Sequence, residues 1–192
     1  MVVMPQYTLR NMDSIVKEVS IEPGRVTLNN AEVFKTETTE VGPFLKALYQ
    51  KSELKYSKFF KMDYLCKLGF MACEILLENE EIENDSDDVA LVFANASASL
   101  NTDVKYQKTI ADIASPAVFV YTLPNIVIGE VSIRHKFYGE HMFFVQKKYN
   151  KEVLLSYTNV LFQSTNTKHA LVGWIDVDDN NNYSAKVMLC KK

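Results

Sequence analysis

The groups best able to do chemistry in this chain are three cysteines, three histidines and a run of carboxylates. Cys66, Cys73 and Cys190 are too widely spaced for a C-x-x-C redox or metal pair,. Cys66 and Cys73 stand seven apart and could share a helix face. They read as small apolar core residues in a reducing compartment. His135, His141 and His169 form no H-E-x-x-H pattern,. His135, between Arg134 and Lys136 near a helix C-terminus, suits the helix dipole. The carboxylates Glu78, Glu80, Glu81, Glu83, Asp85, Asp87 and Asp88 lack the alternation and central glycine of a calcium loop,. They read as a solvated loop that closes a helix. Ser97 and Ser99 follow an apolar run, but no G-x-S-x-G elbow surrounds them and no base is evident, so turn chemistry is expected. Six glycines build neither G-x-G-x-x-G nor a Walker loop,. No cofactor and no metal site is expected.

The elements that must position these groups follow from periodicity. Val26–Leu28 and Glu32–Phe34 flank Asn29-Asn30-Ala31 and read as a hairpin within a strand pair over 12–34. Pro43–Tyr49 reads as a short helix with proline in its first turn. Lys58–Leu77 carries Phe59, Met62, Leu65, Cys66, Gly69, Ala72, Cys73 and Leu76 at helical steps,. Val89–Phe93 is a continuous apolar run, the pattern of a strand covered on both faces. It ends in small polar residues, where open α/β sheets place ligands. Lys105–Ile113 is predicted helical, Ala117–Tyr121 a buried strand, and Leu123–Tyr138 a helix stopped by Gly139. His141–Val145 reads as a strand and Glu152–Phe162 as a helix. Ala170–Val177 and Tyr183–Leu189 make a terminal hairpin. Strands alternating with helices predict an α/β fold: a mixed, mostly parallel sheet with helices on both faces.

Length and composition narrow the classes. A chain of 192 residues fits one domain, 1–192, divided into an N-terminal hairpin and short helix (1–57) and a core (58–192),. The formal net charge of −3 gives no footprint for nucleic acid or for an anionic membrane surface,. No apolar run is long enough to span a bilayer. Met1–Gln6 lacks the features of a secretory signal, so a cytoplasmic location is expected.

Three stretches, in order, then line up with a known pattern. Phe59-Phe60-Lys61-Met62-Asp63-Tyr64-Leu65-Cys66-Lys67-Leu68-Gly69-Phe70-Met71-Ala72-Cys73-Glu74 resembles the ketosynthase helix that opens with an aromatic, Met and Asp. Val89–Asp103 is similar to the strand and small-residue loop that follow it. Ser115–Val145 resembles the strand, Asn-bearing helix and glycine stop that precede the nucleophilic cysteine. The match to the β-ketoacyl-ACP synthases covers roughly 56–177 and implies a thiolase-like half-fold.

Departures from that pattern shape the functional expectation. Counted without gaps from Gly139, the family's nucleophilic cysteine would fall near Lys148. A ketosynthase needs that thiolate to hold its acyl chain covalently, and an acyl-lysine amide would not pass the chain on. Gln146 is similar to the glutamine of chain length factors, given a shift of register. The second half of ketosynthases, which supplies two histidines and a lysine, is expected to be absent. The resemblance also implies that His141, Met142, Phe143, Phe144 and Val145 pair antiparallel across a dimer axis. The expected function is a non-catalytic partner or scaffold subunit in fatty-acid or polyketide-type synthesis. It would form a homodimer or a heterodimer with a full-length ketosynthase, with acyl-carrier protein as a further partner. The alternative is a stand-alone acyl-binding or acyl-transfer protein using Phe93, Asn95, Ser97, Tyr121, Thr122, Asn125 and Lys148.

Overall fold

The computed structural model describes residues 14–83 and 85–192. The N-terminal reading at Met1–Gln6, and the start of the expected strand pair at 12, lie outside the described residues. Seven strands form one sheet: β1 (Ile15–Glu22), β2 (Arg25–Leu28), β3 (Ala31–Lys35), β4 (Val89–Asn95), β5 (His141–Val145), β6 (His169–Val177) and β7 (Tyr183–Lys191). Their spatial order is β3-β2-β1-β7-β6-β4-β5. Six helices accompany them: α1 (Val41–Lys51), α2 (Tyr64–Leu77), α3 (Leu100–Ile110), α4 (Pro116–Phe119), α5 (Ile126–His135) and α6 (Lys151–Ser164).

The sheet is mixed, but its balance is the reverse of a mostly parallel one. Among the described strands, only β4–β5 and β4–β6 pair in parallel. The pairs β1–β2, β1–β7, β2–β3 and β6–β7 are antiparallel. The reason is local: tight turns join the first three strands and the last two, and a hairpin turn can only reverse the chain. Asn29 and Asn30 take φ of 49° and 66°, the left-handed pair that a two-residue hairpin loop requires,. The expected pair of N-terminal strands is thus three, because Pro23-Gly24 turns the chain once more, with Gly24 at φ +79°.

Helices cover both faces as expected. On one side, α1, α2 and α5 bury Phe44, Leu68, Phe70, Met71 and Val127 against Ile21, Phe93, Leu171 and Val187. On the other, α6 buries Leu154, Leu161 and Phe162 against Ala90, Val92, Val172 and Trp174. All seven residues of β4 are buried, which its unbroken apolar pattern required.

Three further readings are corrected. The predicted helix from Lys58 is split into a 3-10 segment, Ser57–Lys61, and α2. Asp63 separates them by capping α2, its carboxylate accepting from the Cys66 N–H at 2.8 Å,. Ala117–Tyr121 is no strand, since Pro116–Phe119 is helical and none of its residues is buried. There Ser115 caps and proline opens the helix, and local signals overrode a short apolar run that fits either structure. Gly139 does not end α5. Lys136 does so at φ 54°, with the Phe137 N–H donating to the Ser132 carbonyl at 3.2 Å,. Gly139 is needed instead because a Cβ there would strike the carbonyl oxygens of Val89 and Asp87.

Candidate functional site

The two edges of the sheet differ in chemistry. At β3 the edge carries Glu32 and Lys35, and Arg25 pairs with Glu32 at 3.2 Å, the charged pattern that discourages strand addition,. At β5 the edge reads His-Met-Phe-Phe-Val, with no carboxylate or ammonium. Among the described residues, no strand lies on its outer side.

Register decides which backbone groups are free. Leu91 N–H donates to the Glu140 carbonyl, and Gln146 N–H to the Asn95 carbonyl, both at 2.9 Å. A strand residue sends its N–H and C=O to the same side, so the even-numbered residues of β5 bond to β4. The N–H and C=O groups of His141, Phe143 and Val145 therefore point outward. The side chains obey the same period of two. Met142 and Phe144 pack toward α6, while Phe143 packs on the α2–α5 side.

A groove of about 580 Å³ runs beside this edge, lined mainly by α5 and β5, with Val120, Ile126, Ile133, Phe143 and Val145 among its walls. Around it, Phe119, Val120, Leu123, Ile133 and Val145 are each more than half exposed. An apolar edge and an apolar groove thus adjoin, which is how an interaction surface looks before it is covered.

One polar cluster lies under the groove. Glu130 on α5 is buried, receives Lys58 Nζ at 2.8 Å, and accepts from the Tyr121 hydroxyl at 3.1 Å. Burial, then the Glu130 charge, push the Tyr121 phenol well above its ordinary pKa, so it stays a donor,. The sequence reading missed this trio because Lys58 and Glu130 are seventy-two positions apart by number and belong to separate elements. A second buried carboxylate, Glu74 of α2, takes Arg134 Nε at 3.1 Å and His135 Nε2 at 2.8 Å. His135 is therefore a tie between α5 and α2, beyond its place at a helix end. The acidic loop is also less free than expected: Glu80 binds Lys17 at 2.8 Å and Lys191 at 3.1 Å.

The structure does not bring the seven candidate binding residues into one cavity. Phe93 belongs to the core. Asn95 is wholly buried and closes its own turn, donating to the Ala98 carbonyl at 2.8 Å and accepting from Ala98 N–H at 3.0 Å. Ser97 N–H donates to Asp176 at 3.0 Å. Tyr121 is committed to Glu130, and the Thr122 carbonyl accepts from Ser99 Oγ at 2.9 Å. Of the seven, Asn125 alone lines the groove. Lys148 is exposed in the turn between β5 and α6, where Asn150 caps α6 by accepting from Val153 N–H at 3.1 Å.

The thiols stand apart from all of this. Cys66, Cys73 and Cys190 are free and buried. Burial raises each pKa, that of Cys190 to about 12. Among the described residues no cluster of His, Cys, Asp or Glu is arranged to hold a metal. No described helix is long and apolar enough to cross a membrane.

Solved structures supply the comparison. The chain superposes on the ishigamide ketosynthase/chain length factor with TM-score 0.70 at 13% identity, over 93% of this chain and 62% of that one. The fold is that of the ketosynthases and chain length factors. A ketosynthase solved in complex with its chain length factor, from Xenorhabdus doucetiae, matches with TM-score 0.64 at 12% identity, over 93% of this chain and 79% of that one. A type II polyketide ketosynthase in complex with its acyl-carrier protein gives TM-score 0.62 at 12% identity, over 93% and 62% of the two chains. The chain thus spans 62% of the length of the first of these structures. No family model matches the sequence, and no curated protein does. The thiolase-like α/β fold inferred from three weakly similar stretches is the fold observed.

Proposed function

We propose that this protein is a ketosynthase-like partner subunit in fatty-acid or polyketide-type synthesis, docking through β5 onto a ketosynthase. The observation that carries the reading is the bare edge of β5, apolar and with outward N–H and C=O groups at His141, Phe143 and Val145. Leaving such a strand uncovered invites uncontrolled pairing, so a specific cover is expected. The fold likeness supports the identity of that cover, because similar folds were solved as a ketosynthase with its chain length factor. On this reading Met142 and Phe144 support the strand from behind, while the α5 groove receives side chains of the partner.

The subunit would contribute shape and surface rather than a condensing thiol, since counting from Gly139 puts Lys148 and no cysteine near the expected position, and all three thiols are buried. Acyl-carrier protein would then meet the assembled pair. A stand-alone acyl-binding role has less behind it, because its candidate residues are spent on turns and core.

Co-expression with each tagged ketosynthase of the same organism, followed by size-exclusion chromatography, tests the proposal. A stoichiometric complex that Phe143→Glu abolishes is the expected result. Failure to pair with any of them, while the protein remains folded, overturns it.

A further inference from the structure

We propose that Ser132 and His141 form a nucleophile–base pair at the α5–β5 groove, able to hydrolyse small apolar carboxylic esters. The inference goes beyond the docking reading and does not depend on it. Ser132 Oγ, on α5, lies 3.1 Å from Nε2 of His141, the first residue of β5. That is hydrogen-bond reach for taking a proton from an attacking hydroxyl. The two residues stand nine apart on different elements, and no G-x-S-x-G elbow announces them,.

The groove supplies what such a pair needs. Its volume of about 580 Å³ falls within the roughly 300–1,000 Å³ of small-molecule sites,. His141 lines it, and Val120, Ile126 and Phe143 suit an apolar acyl group. A Cβ built on Gly129, one turn before Ser132, would meet nothing within 4 Å, so the helix surface beside the hydroxyl is bare. The N–H groups of His141 and Phe143 point away from β4 at this border, where they can donate to an oxyanion,. Glu140, the residue before β5, carries a charge that favours the imidazolium formed when Nε2 takes a proton,. Lys58, the ammonium of the groove, is held by Glu130 at 2.8 Å and does not compete as a nucleophile.

With the ring proton on Nδ1, Nε2 accepts from the Ser132 hydroxyl. As Oγ bonds to the ester carbonyl carbon, Nε2 takes the hydroxyl proton and the carbonyl oxygen becomes an oxyanion. The carbonyl then re-forms, the bond to the leaving oxygen breaks, and Nε2 hands that oxygen its proton, releasing an alcohol. Water repeats the attack on the acyl-serine: Nε2 takes its proton and returns it to Oγ, and a carboxylic acid leaves. The reaction consumes only the ester and water. A partner strand on β5 would bond to the same N–H groups, so the activity belongs to protein whose edge is bare.

Hydrolysis of p-nitrophenyl butyrate by the purified protein at about pH 8, well above the ordinary imidazole pKa of about 6.5, tests this. A fluorophosphonate probe, followed by intact-mass and peptide measurement, identifies the nucleophile. The expected result is turnover above the buffer rate and one adduct, on the peptide carrying Ser132. Ser132→Ala should abolish the adduct, and both it and His141→Gln should lower kcat/KM by about a hundredfold or more. Gly129→Leu, which fills the bare helix surface, should raise KM severalfold. Circular dichroism checks that each variant is folded, and the adduct on wild type decides the matter even where a variant is not. Folded wild type that turns the ester over no faster than buffer, an adduct elsewhere in the chain, or a Ser132→Ala variant with the wild-type rate overturns the inference. Each of these leaves the docking reading standing, because that is read by co-purification with a ketosynthase.

Discussion

Proline substitution along β5 separates docking from folding within two adjacent positions. Val145 N–H points away from the sheet, whereas Phe144 N–H points into the β4 ladder, as the bonds at Glu140 and Gln146 require. Proline lacks the N–H and is tolerated in edge strands only where that donor faces outward. Val145→Pro should leave the monomer's ladder intact and remove one outward donor per copy. A symmetric pair about Phe143 would form about six inter-strand hydrogen bonds, of which the substitution deletes about two. At roughly 0.5–1.5 kcal/mol net each, the loss is about 1–3 kcal/mol, or roughly a five- to 150-fold rise in Kd. Its monomer should melt within about 2 °C of wild type, as expected where only surface groups change. Phe144→Pro should instead leave a ladder carbonyl of β4 unpaired and destabilise the monomer by about 1–3 kcal/mol. Analytical ultracentrifugation reads the first effect and thermal melting at high dilution the second. The reasoning is refuted if Val145→Pro associates like wild type, or if the two variants lose stability equally.

Three other outcomes follow from packing and charge. At Gly69 a Cβ would overlap Val127 Cγ2 and lie 3.0 Å from Ile175 Cδ1, so Gly69→Ala should overpack the α2–α5 seam. The expected cost is about 1–3 kcal/mol by urea unfolding, partly recovered in the Gly69→Ala/Val127→Ala double variant. Native protein should show no thiol reactive toward a disulfide reagent until it unfolds, because Cys66, Cys73 and Cys190 are buried with raised pKa values,. Burial alone would raise the Glu74 pKa, but Arg134 and His135 outweigh it and hold the carboxyl below its ordinary 4.5. Its stabilisation is thus present above pH 4.5 and lost as pH falls through the lower folded value,. Glu74→Gln should lower the urea midpoint at pH 7 and flatten its fall in acid.

Much of this architecture was legible in the residues, and the exceptions have physical causes. The strand at His141–Val145 was read with its observed bounds, because a short apolar run rich in aromatic and β-branched residues follows a glycine there,. The run Val89–Phe93 was read as covered on both faces, and it is the buried β4. The Ala117–Tyr121 run misled because a five-residue apolar segment does not reveal its own conformation, and Ser115-Pro116 starts a helix there,. The likeness to ketosynthases lay in the order of three segments rather than in any motif of its own. The Lys58–Glu130–Tyr121 trio could not be read, since nothing in one sequence announces which distant charges will meet.

The amino-acid order alone determined the types of most elements and the asparagine turn at Asn29-Asn30. Each depends on near neighbours: side-chain period, a cap, a turn or a single position. Only the tertiary structure decided that β5 stands at the border of the sheet, and that its odd-numbered residues turn their backbone groups away from β4. It also decided that the thiols and the turn-forming asparagine are withdrawn from use. Strand order is settled by which surfaces bury together across the whole chain, and no local pattern encodes that choice.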